Sequence, residues 1–265
     1  MEITFYKYQG TGNDFIMVDN RNLALPRHNT QLYKHLCDRR FGIGADGFIM
    51  VQNKEGYDFE MVYFNSDGNE SSMCGNGGRC IVMFAKQLGI IKDKTHFLAV
   101  DGPHDAEIFE NGWVSLKMKD VETVEQLGDD YFLDTGSPHY VRFVGEELSN
   151  FPLIDTAKHI RYNDRFAEKG TNVNIVHSND NGVLDVRTYE RGVEDETYSC
   201  GTGVTAVALA AYAQKPTGKG ITQPISTPGG KLQITFDKVA ANHYQNIWLQ
   251  GPAQFVFSGT VEVSL

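Results

Sequence analysis

No run of apolar residues in the chain approaches the ~20 that a helix needs to span a bilayer, so a helical membrane span is not expected. Basic clusters are missing as well. Lys and Arg number 24 against 34 Asp and Glu, a net charge of −10, and the cations are scattered, which argues against a phosphate-binding nucleic-acid surface. The opening Met1-Glu2-Ile3-Thr4-Phe5-Tyr6-Lys7 alternates like a strand, with no basic segment leading into an apolar one. It does not read as a signal peptide, and a cytoplasmic location is the default expectation. Cysteine is scarce too: there are four, with no C-x-x-C pair, and the step from Cys74 to Cys80 does not suit the usual structural zinc sites. No metal is expected, and a structural disulfide is disfavoured in a cytoplasmic chain. The partner left by these exclusions is a small molecule.

Two of the four cysteines have near-matching surroundings. Cys74 lies in Met73-Cys74-Gly75-Asn76-Gly77-Gly78 and Cys200 in Ser199-Cys200-Gly201-Thr202-Gly203, each followed at once by an apolar helical run. A thiol at a helix start faces unpaired backbone N–H groups and the positive end of the helix dipole. Both favour thiolate and can lower a cysteine pKa to roughly 3.5–7.5. Taken singly, each would read as a small buried hydrophobe. Taken together they do not, because Gly-x-Gly after each lets backbone donors approach an anion closely. Two such thiols suggest a paired acid and base. Cys37 and Cys80 lack this setting and read as structural.

The two cysteines are 126 positions apart, and the same offset aligns Gly44 with Gly170, Tyr63 with Tyr189 and Ala85 with Ala211. Near the start an offset of 124 sets Gly12-Asn13-Asp14-Phe15-Ile16 on Gly136-Ser137-Pro138-His139-Tyr140. A divergent internal duplication follows, giving two similar domains of about 130 residues rather than a solenoid. Val114, Leu116 and Met118, then Leu184, Val186 and Thr188, then Leu232, Ile234 and Phe236 alternate with polar residues as half-buried strands do. Residues 203–213 have almost no polar face and stop before Pro216, so they predict a helix buried all round, with 79–85 as its counterpart. Residues 30–40 predict an amphipathic surface helix. The expected fold is α+β: two pseudo-symmetric domains, each a mostly antiparallel sheet or barrel curled around a central buried helix, with the active site in the cleft between them. The expected domains are 1–118, carrying Cys74 and completed by a C-terminal strand at 254–265, and 119–253, carrying Cys200.

Met73-Cys74-Gly75-Asn76-Gly77-Gly78-Arg79-Cys80, and Glu190-Arg191-Gly192 leading to Cys200-Gly201-Thr202-Gly203, are similar to the two active-site signatures of the diaminopimelate epimerase family. Lys7-Tyr8-Gln9-Gly10-Thr11-Gly12-Asn13-Asp14-Phe15 and Gly136-Ser137-Pro138-His139 resemble that family too, so the match runs through nearly the whole chain in order. Related cofactor-independent enzymes such as proline racemase have His rather than Asn after the first Cys-Gly and lack the Glu-Arg-Gly. The resemblance implies stereoinversion at one α-carbon of diaminopimelate, between the L,L and meso forms, in lysine biosynthesis. It implies no cofactor, pyridoxal phosphate included. The expected partners are the amino-acid substrate and a second copy of the chain in a homodimer.

By the same resemblance Cys74 and Cys200 are the catalytic pair, and His139 and Glu190 lie beside the reacting centre. The backbone of Gly75, Asn76, Gly201 and Thr202 holds the reacting carboxylate, while Asn13, Asn65, Asn172, Glu190 and Arg191 complete the substrate contacts. Three departures stand out. Many members have Asn at Ser137, some carry Gln at Gly47, and Glu190 to Cys200 holds one residue more than usual, with Val193-Glu194-Asp195-Glu196 where a Gly is common, so that loop is expected to bulge. The competing readings are an isomerase or racemase of the same fold acting on another amino acid, a non-catalytic amino-acid-binding protein, and a thiol redox protein.

Overall fold

The computed structural model describes residues 1–71, 73–216 and 221–264. The chain divides into two compact units, Met1–Leu116 with Gly251–Leu265, and Lys117–Gln250. Among the described residues there are four α-helices, α1 (Thr30–Cys37), α2 (Gly75–Gln87), α3 (Leu153–Arg161) and α4 (Gly201–Gln214). None of them is long and apolar enough to cross a membrane.

In the first unit the strands Glu2–Gly10 and Asn13–Asp19 form an antiparallel pair. Asn13–Asp19 then runs parallel to Gly47–Gln52, the connection carrying α1, and Gly47–Gln52 pairs antiparallel with Glu60–Asn65. A parallel step through α2 reaches Lys94–Ala99, which continues as an antiparallel meander into Gly102–Ile108 and Trp113–Lys117. The strand Gln254–Glu262 returns to pair antiparallel with Glu2–Gly10. This strand ends short of the expected residue 265, and Leu265 lies outside the described residues.

The second unit repeats that order. Asp130–Asp134 is antiparallel to Pro138–Val144, which runs parallel to Asn172–Ser178 through α3. Asn172–Ser178 is antiparallel to Leu184–Glu190, which is parallel to Ile221–Thr227 through α4. Gly230–Ala240 and His243–Pro252 complete the antiparallel run. The two central helices begin at Gly75 and Gly201, 126 positions apart. The α+β fold expected from the sequence, one sheet-rich unit built twice about a buried helix, is the fold observed.

Local chemistry explains the elements. Asn29 caps α1, its side chain accepting from the Leu32 N–H at 3.2 Å, and Leu32, Tyr33, Leu36 and Cys37 are buried. Tyr33 stacks on Phe48 and Phe64 with centroids 4.8 and 4.2 Å away. The helix stops at Cys37 instead of residue 40 because the Asp38 carboxylate accepts from the N–H groups of Arg40 and Phe41 at 2.7 and 2.8 Å, diverting the backbone into a turn. α4 is buried on nearly every side, and Thr205 within it satisfies its hydroxyl on the Gly201 carbonyl at 2.9 Å. The strand Gly47–Gln52 is buried along its whole length. Phe48 and Met50 join the core under α1, and Ile49 points at Gly77 of α2.

Candidate active site

In the first unit Cys74 is the N-cap of α2, extended at φ −100° and ψ 144°. Its Sγ accepts from the Gly77 N–H at 3.2 Å and lies 3.9 Å from Asn13 Oδ1. A Cβ at Gly77 would come within 3.1 Å of Ile49 Cδ1 and 3.4 Å of the sulfur, so a bare backbone keeps the thiol's surroundings open. Asn76 Nδ2 donates to Asn13 Oδ1 at 3.3 Å, and Asn13 Nδ2 donates to Asp46 Oδ2 at 2.6 Å. That fixes which way the Asn13 amide faces. Arg39 bridges Asp46 and Asp14 at 2.7 and 2.6 Å, and Lys7 meets Asp14 at 2.8 Å. Burial alone would raise the Asp14 carboxyl, but hydrogen bonds from Arg39 and Lys7 hold it well below the usual carboxylate range. Asn76 is buried, and its Oδ1 accepts from Arg79 Nη2 at 3.0 Å and from the Thr11 hydroxyl at 3.3 Å.

Asn65 ends the strand Glu60–Asn65 opposite Gly47, its side chain exposed and its N–H donating to the Asn69 carbonyl at 3.0 Å. A side chain at Gly47 would force its neighbours to shift, because its Cβ would fall 2.5 Å from Tyr63 Cε2 and 2.9 Å from the Phe64 carbonyl oxygen.

In the second unit Cys200 is the N-cap of α4, at φ −119° and ψ 113°. Its Sγ lies 3.5 Å from Thr202 Oγ1, which in turn lies 2.9 Å from His139 Nε2. His139 is fully buried. Burial, aided by the positive charge of Arg191, pushes its pKa down to about 3, so the imidazole is neutral. Asn174 decides its tautomer. The Asn174 Oδ1 accepts from the Thr188 hydroxyl at 2.9 Å while Nδ2 donates to the Tyr140 carbonyl at 2.9 Å and faces His139 Nδ1 at 3.2 Å. Nδ1 is therefore the acceptor and the ring proton is on Nε2, aimed at Thr202.

A second group forms around Asn172. Its Nδ2 donates to Ser137 Oγ at 2.9 Å and the Pro138 carbonyl at 3.0 Å, and its Oδ1 accepts from the Arg191 N–H at 2.8 Å. The exposed Arg191 side chain donates to the Lys169 carbonyl at 2.8 Å. Glu190 Oε1 accepts from the Thr197 hydroxyl at 2.6 Å. The loop before Cys200, expected to bulge, forms a turn over 191–194, closed by pairing of Asp195–Thr197 with Leu184–Glu190. Glu194 holds the left-handed φ of 57° that a glycine would favour. Its carboxylate accepts from Tyr162 and Tyr189 hydroxyls, both at 3.0 Å, from Gly192 N–H at 3.1 Å and from Arg161 at 3.2 Å, which offsets the backbone cost.

Asn13, Cys74 and Asn76 are thus one hydrogen-bonded group, and His139, Thr202 and Cys200 another, with Asn172, Arg191 and Ser137 tied together beside Glu190. Asn65 is anchored separately. The first intrahelical bonds run from Gly78 to the Cys74 carbonyl and from Val204 to the Cys200 carbonyl, at 2.8 and 2.9 Å. The N–H groups of Gly75, Asn76, Gly201 and Thr202 precede them, at the positive ends of the two helices. Cys37 and Cys80 are buried; burial pushes the Cys37 thiol up to about 12 and the Cys80 thiol further still. Arg79 and Asn174 were not singled out from sequence. The available signals were a cation inside an apolar helical run and an Asn alternating with Asn172 along an apolar strand.

The fold is one known from solved structures. A PhzF-family phenazine biosynthesis protein of Bacillus anthracis superposes with a TM-score of 0.76 at 14% identity, covering 99% of this chain and 100% of that one. A hydroxyproline epimerase from Agrobacterium vitis superposes with a TM-score of 0.70 at 13% identity, covering 98% and 92%. The fold shared with these chains is the sheet-rich α+β unit built twice, here with a cysteine capping each central helix. The family model described as diaminopimelate epimerase matches residues 5–124 and 131–256, and the chain belongs to that family. Among relatives, the diaminopimelate epimerase of Flavobacterium psychrophilum is 55% identical over 97% of this chain and 99% of its own length. That of Chlorobaculum tepidum is 38% identical over 95% and 98%.

Proposed function

We propose that the enzyme interconverts L,L- and meso-diaminopimelate with two thiols and without pyridoxal phosphate or metal, one cysteine acting as thiolate base and the other as thiol acid. The observation that carries this reading is the repeated helix cap, with Cys74 and Cys200 each opening a buried helix ahead of Gly-x-Gly. Inversion without an electron sink requires a base on one face of the α-carbon and an acid on the other, because a single group would have to change sides. The roles exchange with reaction direction. Removing the α-proton develops negative charge beside the carboxylate, and the N–H groups of Gly75, Asn76, Gly201 and Thr202 are preorganised donors for it, each worth roughly 3 kcal/mol in such settings.

His139 and Glu190 act beside the reacting centre, His139 through the Thr202 hydroxyl. Asn13, Asn65, Asn172 and Arg191 read the distal amino-acid centre. Amides offer a zwitterion both donors and acceptors, and a guanidinium pairs a carboxylate through two parallel bonds. The relatives' names support the substrate, and with it a place in lysine biosynthesis; the cytoplasm is the location proposed with it. Phe255, Val256 and Phe257, exposed in a row on the strand Gln254–Glu262, support a homodimer.

The test is deuterium incorporation from heavy water into L,L- and meso-diaminopimelate without added cofactor. Solvent deuterium should enter at the inverted carbon, and Cys74→Ala and Cys200→Ala should each abolish epimerisation. Full epimerisation by both single variants would overturn the reading.

A further inference from the structure

Four side chains of the second unit, those of Thr188, Asn174, His139 and Thr202, form a file of hydrogen bonds that ends at the sulfur of Cys200. The first three are buried. Asn174 is paired across the sheet with Thr188 on one side and Val141 on the other. α4 closes over its amide at Gly203, where a Cβ would fall 2.6 Å from Asn174 Oδ1. The fixed point of the file is the Tyr140 carbonyl, because a backbone carbonyl can only accept. Asn174 meets it at 2.9 Å, so that side of the amide is the NH2 group, and Oδ1 is left to the Thr188 hydroxyl at 2.9 Å. With the amide turned over, two carbonyl oxygens would face each other in the interior at the cost of an unmade hydrogen bond.

The NH2 group has a second hydrogen, and His139 Nδ1 lies 3.2 Å from it. Nδ1 accepts, and Nε2 carries the ring proton toward Thr202 Oγ1 at 2.9 Å. A hydroxyl has one hydrogen and two lone pairs. His139 takes up a lone pair, so the hydrogen is not spent on the ring. Thr135 donates to the Thr202 carbonyl at 2.8 Å, which holds the backbone that carries the hydroxyl. Cys200 Sγ lies 3.5 Å from the hydroxyl oxygen. A thiolate has no hydrogen to give, so across this contact it can only accept. In the opposite tautomer Nε2 would itself accept and compete with the sulfur for the hydroxyl hydrogen. The first unit is built otherwise, since the offsets of 124 and 126 set Phe15 at the place of His139 and Asn76 at that of Thr202.

We infer that Asn174 is a positioning residue: by keeping the His139 proton on Nε2 it reserves the Thr202 hydroxyl hydrogen for the Cys200 thiolate. This rests on the two-thiol reading above and adds a residue that meets neither substrate nor sulfur. Cys200 is a thiolate at one end of either reaction direction, before it takes an α-proton or after it has delivered one. The same hydrogen bond therefore serves both.

Two measurements test this. In nitrogen-15-labelled enzyme at about pH 7.5, the His139 ring, identified by its loss in His139→Gln, should show its proton on Nε2. Asn174→Leu should bring Nδ1–H into the mixture and lower kcat at least about fivefold, a hydrogen bond to a charged group being worth about tenfold or more. KM should move by no more than about twofold, because the interaction lost is not one with bound substrate. In a Thr202→Val background the same substitution should slow the enzyme by less than about twofold, because the file is already cut. A wild-type ring protonated on Nδ1 would overturn the inference. So would a folded Asn174→Leu enzyme with wild-type kcat, or a loss that is just as large in the Thr202→Val background. Should Asn174→Leu fail to fold, the wild-type tautomer decides. Inactive Cys→Ala variants combined with a fully active Asn174→Leu enzyme would remove only this inference, whereas activity in both Cys→Ala variants would remove the two-thiol reading itself.

Discussion

His139 makes the stability of the second unit depend on acid in a way that can be worked out in advance. Its pKa falls from the ordinary 6.5 to about 3 on folding, because the ring is fully buried and the nearby Arg191 opposes a second positive charge. The sign follows from proton counting. Above pH 6.5 neither state carries the proton, and nothing is gained or lost. As the pH drops below 6.5 the unfolded chain takes up a proton that the folded one refuses, so stability falls by about 1.4 kcal/mol per pH unit until the folded ring titrates near pH 3. At pH 5 this one group costs about 2 kcal/mol, a large share of the ~5–15 kcal/mol that holds a typical domain together. The assay is urea denaturation of wild type and His139→Gln at several values between about pH 7.5 and pH 4.5. Comparing slopes removes the pH-independent cost of the substitution, and subtracting the variant removes the carboxylates common to both. The variant should lose stability on acidification more gently, by up to about one proton's worth. Parallel loss in the two proteins would refute the reasoning, as would an imidazole nitrogen resonance showing a charged ring at pH 5.

Thr202→Val should lower turnover by at least about tenfold by breaking the link between His139 and Cys200, whereas Thr202→Ser should keep most of it; steady-state rates of the three proteins decide, and equal rates would remove the link's role. Gly203→Ala would set a Cβ 2.6 Å from Asn174 Oδ1, while Gly77→Ala meets nothing nearer than 3.1 Å. The former should cost about 1–3 kcal/mol in urea denaturation and the latter clearly less, and the reverse order would count against the packing described. Glu194→Gly relieves about 1 kcal/mol of backbone cost but forfeits the bonds from two tyrosines, Arg161 and Gly192 N–H. It should destabilise overall; a higher melting temperature would show that those bonds contribute little.

Strands with one wet face were legible because burial imprints a period of two, as in Leu232, Ile234 and Phe236, all buried within Gly230–Ala240. Gly47–Gln52 carries no such imprint, since its two faces are both covered and the sequence reads as an unbroken apolar run. The helices at 203–213 and 79–85 were found but begin earlier, at Gly201 and Gly75, because glycine and polar residues in a first turn look like loop until the cap is seen. The end of α1 was missed because a side chain, Asp38, redirects the backbone there. At the candidate site the recurrence of Cys-Gly-x-Gly marks both helix starts. The parts that tune them were not legible. The tautomer of His139 depends on an amide oriented from another strand by Thr188, and the hold of Arg79 on Asn76 depends on burial of both, which a single sequence does not display.

The pairing of Glu2–Gly10 with Gln254–Glu262 joins the two ends of the chain, and the Met1 ammonium donates to the Val263 carbonyl at 2.7 Å. Synthesis therefore delivers the first strand and its hairpin partner Asn13–Asp19 long before the neighbour on its other edge exists. The segment from Lys117 to Gln250 is continuous and can fold as it leaves the ribosome, while the earlier residues must wait with the edge of Glu2–Gly10 open until the last strand is made. That waiting period, rather than the finished enzyme, is when the chain is most exposed to aggregation, and a tag or truncation at either end would be felt there first.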